Sequence, residues 1–149
     1  MSSQKTIDHM LRVALATALN HFDYYQRAAD EVKTTRVKAL LLVLAEAEEE
    51  LIDRIEDMLA TGIVEELESL ESTDDIAEPN LTPFDPQRAE TDPRLYVCNR
   101  ALEQEVKGYN FFLSLAVRSK SEVVSRLFEY FATRKAGQIE SIRRLCSTF

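Results

Sequence analysis

Apolar residues recur at helical spacing in four long stretches of this chain, set apart by two short polar breaks and one long interruption. In the first stretch Ile7, Met10, Leu11, Ala14, Ala18, His21, Tyr25 and Ala28 mark one face of a helix predicted over about 6–31, with Thr6 as N-cap. Thr34 or Thr35 opens a second helix over about 35–61, and Gly62 is suited to end it. So short a connection folds the pair into an antiparallel hairpin. Residues 63–91 lose the regularity. Ile63–Glu71 suits a short acidic helix, and Ser72–Thr91, with three of the four prolines, reads as an extended crossover. That crossover is long enough to return the chain along the bundle, so that the next helix runs parallel to the second. Asp92-Pro93 is a helix start, predicting a third long helix over 93–118. A fourth, capped by Ser119 or Ser121, is predicted over about 121–147.

Within the second stretch, Leu44, Leu51, Ile55 and Met58 keep their spacing through a run of acids, and Glu48 falls on the same face. Glu46, Glu49, Glu50 and Asp53 fall mostly off it and can be solvated. A carboxylate in the middle of an apolar stripe needs a cation, a metal or a proton. The two halves also repeat at one gapless offset of 87 residues. It lays Ala14-Leu15 on Ala101-Leu102, Tyr24-Tyr25 on Phe111-Phe112, Leu40 on Leu127 and Ile55 on Ile142. The pattern describes two helical hairpins joined by a long crossover.

Composition agrees with an all-α single domain over 1–149: 45% of residues are apolar, with three Gly and no Trp. The net charge of −8 argues against nucleic acid and against an anionic membrane surface as partners. No apolar run approaches the ~20 residues of a membrane span, and MSSQKTIDHM lacks a signal-peptide core, so a cytoplasmic protein is expected. Cys98 and Cys146 are too few for a disulfide framework and read as buried or incidental thiols. No phosphate loop, dinucleotide turn, CxxC or HExxH is present, and no nucleophile with a base stands out. The aromatic residues recur at helical spacing and read as core, and Arg134, Arg143 and Arg144 read as a solvated face. Gly108 and Gly137, each costing ~1 kcal/mol in a helix interior, mark either room for a neighbour or drift.

Two hairpins, a long crossover and the motif E-x-x-G-x-x-F-F from Glu105 to Phe112 resemble the ferritin-like superfamily, and its small rubrerythrin-like members in particular. The resemblance covers residues 6–147. It implies a ferritin-like four-helix bundle and a carboxylate-bridged di-iron centre. One Glu would come from the first helix of each hairpin, and a Glu-x-x-His from the second. In this chain those positions fall on Ala18 and Glu105, on Glu48 and Leu51, and on Lys135 and Gln138. Only Glu48 and Glu105 keep the family's acid. Lys135 is therefore expected to occupy the ligand cavity and neutralise the two glutamates, with Tyr25, Tyr109 and Gln138 as candidate hydrogen-bond donors. The blander expectation is a solvated Glu48–Lys135 pair.

A bundle with such a degenerate site implies no metal cofactor and a non-catalytic binding or interaction module. The alternative is an iron-dependent oxidoreductase or peroxidase whose altered site uses Glu48, Glu105, His21 and Gln138. A polar centre holding a small organic ligand or lipid tail is a third possibility. His21, taken alone, reads more simply as a core histidine, and His9 as exposed. The apolar surplus of Ala39–Ala45, Leu15, Leu19 and Phe22 predicts a homodimer.

Overall fold

A computed structural model describes residues 2–62 and 78–149, and side chains from residue 7 onward. Among these residues all regular structure is helical: α1 (Ser2–Glu31), α2 (Thr35–Thr61), α3 (Pro86–Thr91), α4 (Pro93–Arg118) and α5 (Glu122–Cys146). No helix among them is long and apolar enough to cross a membrane. Helix α1 begins before the expected cap, because Ser3, Gln4 and Lys5 include no helix breaker, and Thr6 lies inside it.

Local chemistry accounts for several of the ends. Gly62 closes α2 at a φ of 105°, where a side chain would be strained, and its N–H donates to the Met58 carbonyl at 3.0 Å. Asp92 caps α4 by accepting from the Arg94 N–H at 3.0 Å, with Pro93 at the first helical position. Ser121 caps α5, accepting from Val124 N–H at 3.4 Å, whereas Thr34 makes no side-chain cap. Glu31 and Arg118 each end a helix, and Thr35 and Glu122 each start one, at the 87-residue separation of the repeat.

The expected acidic helix at 63–71 lies outside the described residues. The extended crossover is corrected at its end, where Pro86–Thr91 is helical. Asp85 accepts from Gln87 N–H at 3.0 Å and Pro86 follows it, the same cap-and-proline device that opens α4. The segment before α3 is strapped to the second hairpin. Asn99 exchanges two hydrogen bonds with the backbone of Phe84, and Arg143 donates to the carbonyls of Asn80 and Thr82 while lying over the Phe84 ring. Arg143 is thus a clamp and not part of a solvated face.

Helix α1 packs along α2, and α4 along α5. Two apolar clusters join these hairpins. One holds Leu11 near the start of α1, Ile55 and Met58 at the end of α2, Phe112 and Leu115 late in α4, and Leu127, Phe128 and Phe131 early in α5. The other holds Tyr25 and Ala29 at the end of α1, Leu41 and Leu44 early in α2, Leu102 early in α4, and Ile139 and Ile142 late in α5. The starts of α2 and α4 therefore sit at the same end of the molecule, and these two helices run parallel. At that end Cys98 and Cys146 form a disulfide between α4 and α5, with Cα atoms 6.3 Å apart. The free-thiol expectation is wrong because folding closes a separation of 48 residues that the sequence does not display. Such bonds persist in oxidising surroundings, which the expected cytoplasm does not provide.

Candidate functional site: a buried ionic centre at mid-bundle

On each long helix one residue between the two apolar clusters is polar: His21 on α1, Glu48 on α2, Glu105 on α4 and Lys135 on α5. They are 6%, 1%, 0% and 2% exposed, and they are the four buried polar or charged side chains of the described chain. Helical periodicity requires them to meet. Each occupies the inward stripe whose other positions are core, so closing the bundle on both clusters drives all four into one layer.

Lys135 Nζ donates to Glu48 Oε1, and it approaches Glu105 Oε2 at 3.1 Å and Oε1 at 3.5 Å. A single ammonium thus bridges two carboxyl groups from different hairpins. The Tyr25 hydroxyl donates to the same Glu105 Oε2 at 2.8 Å. His21 Nδ1 stands 3.9 Å from Glu48 Oε1, beyond hydrogen-bonding distance. Three buried polar atoms have no hydrogen-bond partner: His21 Nδ1, Glu48 Oε2 and Gln138 Oε1.

The protonation preferences follow from burial set against charge. Burial penalises the Glu48 carboxylate, but the neighbouring His21 imidazole and Lys135 ammonium outweigh it and hold the group below its ordinary range. For Glu105 burial wins: even with Lys135 and Tyr25 beside it, its pKa is raised. Burial opposes the charge on Lys135, yet the two glutamates more than compensate and raise it. Tyr25 is pushed well above its usual value by burial and then by Glu105 and Glu48, so it stays a phenol and a donor. Of the two acids, Glu105 is therefore the one that holds its proton harder.

Gly108 makes the arrangement possible. A Cβ there would lie 3.0 Å from Lys135 Cε, 3.3 Å from its Cδ and 3.7 Å from His21 Cε1. The lysine stem fills the space that a side chain at 108 would take. No such neighbour exists at Gly137, where an added Cβ would meet nothing within 4 Å.

The sequence-predicted positions divide accordingly. Glu48, Glu105 and Lys135 are in contact, with Tyr25 and His21 beside them. Ala18 is buried at 1% exposure, and half-buried Leu51 packs against the first apolar cluster. No hydrogen bond joins Gln138 or Tyr109 to the centre, so neither is the donor expected from its position. A solvated Glu48–Lys135 pair is ruled out by side chains 0% and 3% exposed. Leu51, Lys135 and Gln138 do line a cavity of about 20 Å³ between α2 and α5, room for about one water. The Arg134–Glu50 ion pair, 2.8 Å long, stands at its edge.

The donor set can be weighed against metal. His21, Glu48 and Glu105 each offer one atom, and these atoms lie within 4.8 Å of one another. Two carboxylates and one imidazole fall well short of the four carboxylates and two histidines of a di-iron centre, and an ammonium already bridges the acids. A two-iron group does not fit these residues. No family model matches this sequence, and comparison with curated proteins and with solved structures found no significant match.

Proposed function

We propose that this chain is a ferritin-like bundle in which a tethered ammonium has taken the place of the metal centre, and that it serves as a non-catalytic binding or interaction module. The observation that carries this reading is the bridge from Lys135 Nζ to both Glu48 and Glu105. Its position on the fourth long helix is where the resemblance calls for a metal-binding glutamate. A cation fixed by a covalent stem cannot cycle between oxidation states or be exchanged, so what remains is a scaffold. Exposed Leu19, Leu42 and Val43, at 47%, 44% and 59%, support a homodimer as one form of that interaction. Light scattering at micromolar concentration is expected to give twice the chain mass, and a monomer would remove the dimer from the account.

A second reading is an iron-dependent oxidoreductase or peroxidase with a one-metal site. It draws on the cluster of His21, Glu48 and Glu105 and on the unpartnered His21 Nδ1, Glu48 Oε2 and Gln138 Oε1. Elemental analysis after expression with iron, manganese or zinc separates the two. The proposal expects well under one ion per chain with each metal. About one ion per chain, lost in Glu105→Ala, would overturn it.

A further inference from the structure

Away from the ionic centre, a cleft of about 920 Å³ opens between the end of α1, the α1–α2 turn and the start of α4. That is near the top of the range of small-ligand sites, about 300–1,000 Å³. Its charge runs against that of the chain. In a sequence of net charge −8, Arg27, Lys33, Arg94 and Arg100 face it against only Glu31 and Asp92.

These cations are not equally committed. Arg94 is tied to Asp92 by two hydrogen bonds, at 2.9 and 3.1 Å, and its guanidinium lies 4.5 Å from the centre of the Phe149 ring. It shapes the wall. Arg27 meets Asp23 at 3.2 Å, but both side chains are mostly exposed, so that pair is readily exchanged. Arg100 reaches Glu103 only at 3.6 Å, and Lys33 makes no ion pair with any described residue. Three cations are thus available to a ligand.

Between them the cleft is apolar. Ala28, Val32 and Val97 are half-buried, and the Tyr96 ring is left 57% exposed at the edge. Tyr24 is fixed edge-on against Tyr25 at 5.6 Å, with Arg100 6.0 Å from its ring centre. Burial raises the Tyr24 pKa, leaving a neutral hydroxyl at ordinary pH. The Cys98–Cys146 bond, one residue beyond Val97, braces this wall. The apolar wall is thus in place before any ligand arrives.

We propose that this cleft binds a small organic anion, its acid group held by Arg27, Lys33 and Arg100 and its apolar body laid against Tyr24, Val32 and Val97. The acid is a carboxylate or a phosphate, and the body is an aromatic ring. None of these residues belongs to the ionic centre, so the inference stands or falls apart from the reading of Lys135.

Titration calorimetry of the full chain at about 50 mM salt, with phenyl phosphate, benzoate and inorganic phosphate, tests it. At least one aromatic anion is expected to bind one site per chain, about tenfold or more tighter than inorganic phosphate. Which of the two wins identifies the acid group. Arg100→Ala and Lys33→Ala, both exposed and with helicity checked by circular dichroism, are expected to weaken binding about tenfold each. Arg134→Ala, outside the cleft, should leave it unchanged. Failure of both aromatic anions to saturate would overturn the proposal. So would inorganic phosphate binding as tightly as they do, or undiminished binding in the Arg100→Ala/Lys33→Ala double variant.

Discussion

The two hairpins share a plan and part company at mid-bundle. Hairpin α1–α2 brings Ala18, His21, Glu48 and Leu51 to the central layer, and α4–α5 brings Glu105, Gly108, Lys135 and Gln138 to the equivalent places. Two of these differences answer each other across the layer. Glu48 faces the cation of Lys135; the lysine stem lies where Gly108 has no side chain; and His21, the mate of Gly108, stands beside Glu48. The ends differ too. Leu11 and Leu59 meet the first apolar cluster, whereas their mates Cys98 and Cys146 are covalently joined. A duplicated plan can thus hold a charge-paired core if the halves diverge together, because an unmatched buried charge would cost ~3–5 kcal/mol, a large share of a domain's ~5–15 kcal/mol stability.

Substitutions at mid-bundle and at the disulfide separate what each hairpin contributes. Lys135→Met leaves two buried acids without a counter-ion, and urea unfolding near pH 7 is expected to show a loss of ~3–5 kcal/mol. Replacing Cys98 and Cys146 by Ala removes the brace that only the second hairpin has, at a cost of ~2–4 kcal/mol in the same assay. Tyr25→Phe strips Glu105 of its phenol donor and should cost ~1–2 kcal/mol by thermal unfolding. The two mid-helix glycines should respond with opposite signs. Gly108→Ala gains helix propensity but presses on a lysine pinned at its far end, for a net loss of ~1 kcal/mol. Gly137→Ala meets nothing and should gain ~0.5–1 kcal/mol. Equal responses would mean that the Lys135 stem yields freely.

Much of the fold was legible in the chain. Asp92-Pro93, Gly62 and Ser121 act at helix ends as their chemistry requires, and the four long helices follow the apolar spacing. Helix α3 was hidden by its setting among prolines, although Asp85-Pro86 repeats the signal that opens α4. The ionic centre was visible because Glu48 interrupts an apolar stripe and Lys135 is its mate in the repeat. The disulfide was not, since no local pattern announces a partner 48 residues away. The basic cleft escaped for a similar reason: Arg27 and Lys33 lie far along the chain from Arg100, and each alone reads as an ordinary surface charge.

The pairing of Lys135 with the buried glutamates makes stability depend on pH. In the native chain the depressed pKa of Glu48 gives stability that is present above the ordinary carboxylate range and lost in acid. The raised pKa of Glu105 acts in the opposite sense, and that of Lys135 sustains stability until alkaline pH removes its proton. Without Lys135 only His21 beside Glu48 and the Tyr25 phenol on Glu105 still oppose burial, so the balance moves toward the protonated acids and acid should stabilise the variant relative to the native chain. The decisive measurement is urea unfolding of the native chain and Lys135→Met between about pH 8 and pH 5. A gap of several kcal/mol is expected at the alkaline end, narrowing steadily toward acid. A gap that stays constant, or no gap at all, would contradict the view that the lysine is the counter-ion of the buried glutamates.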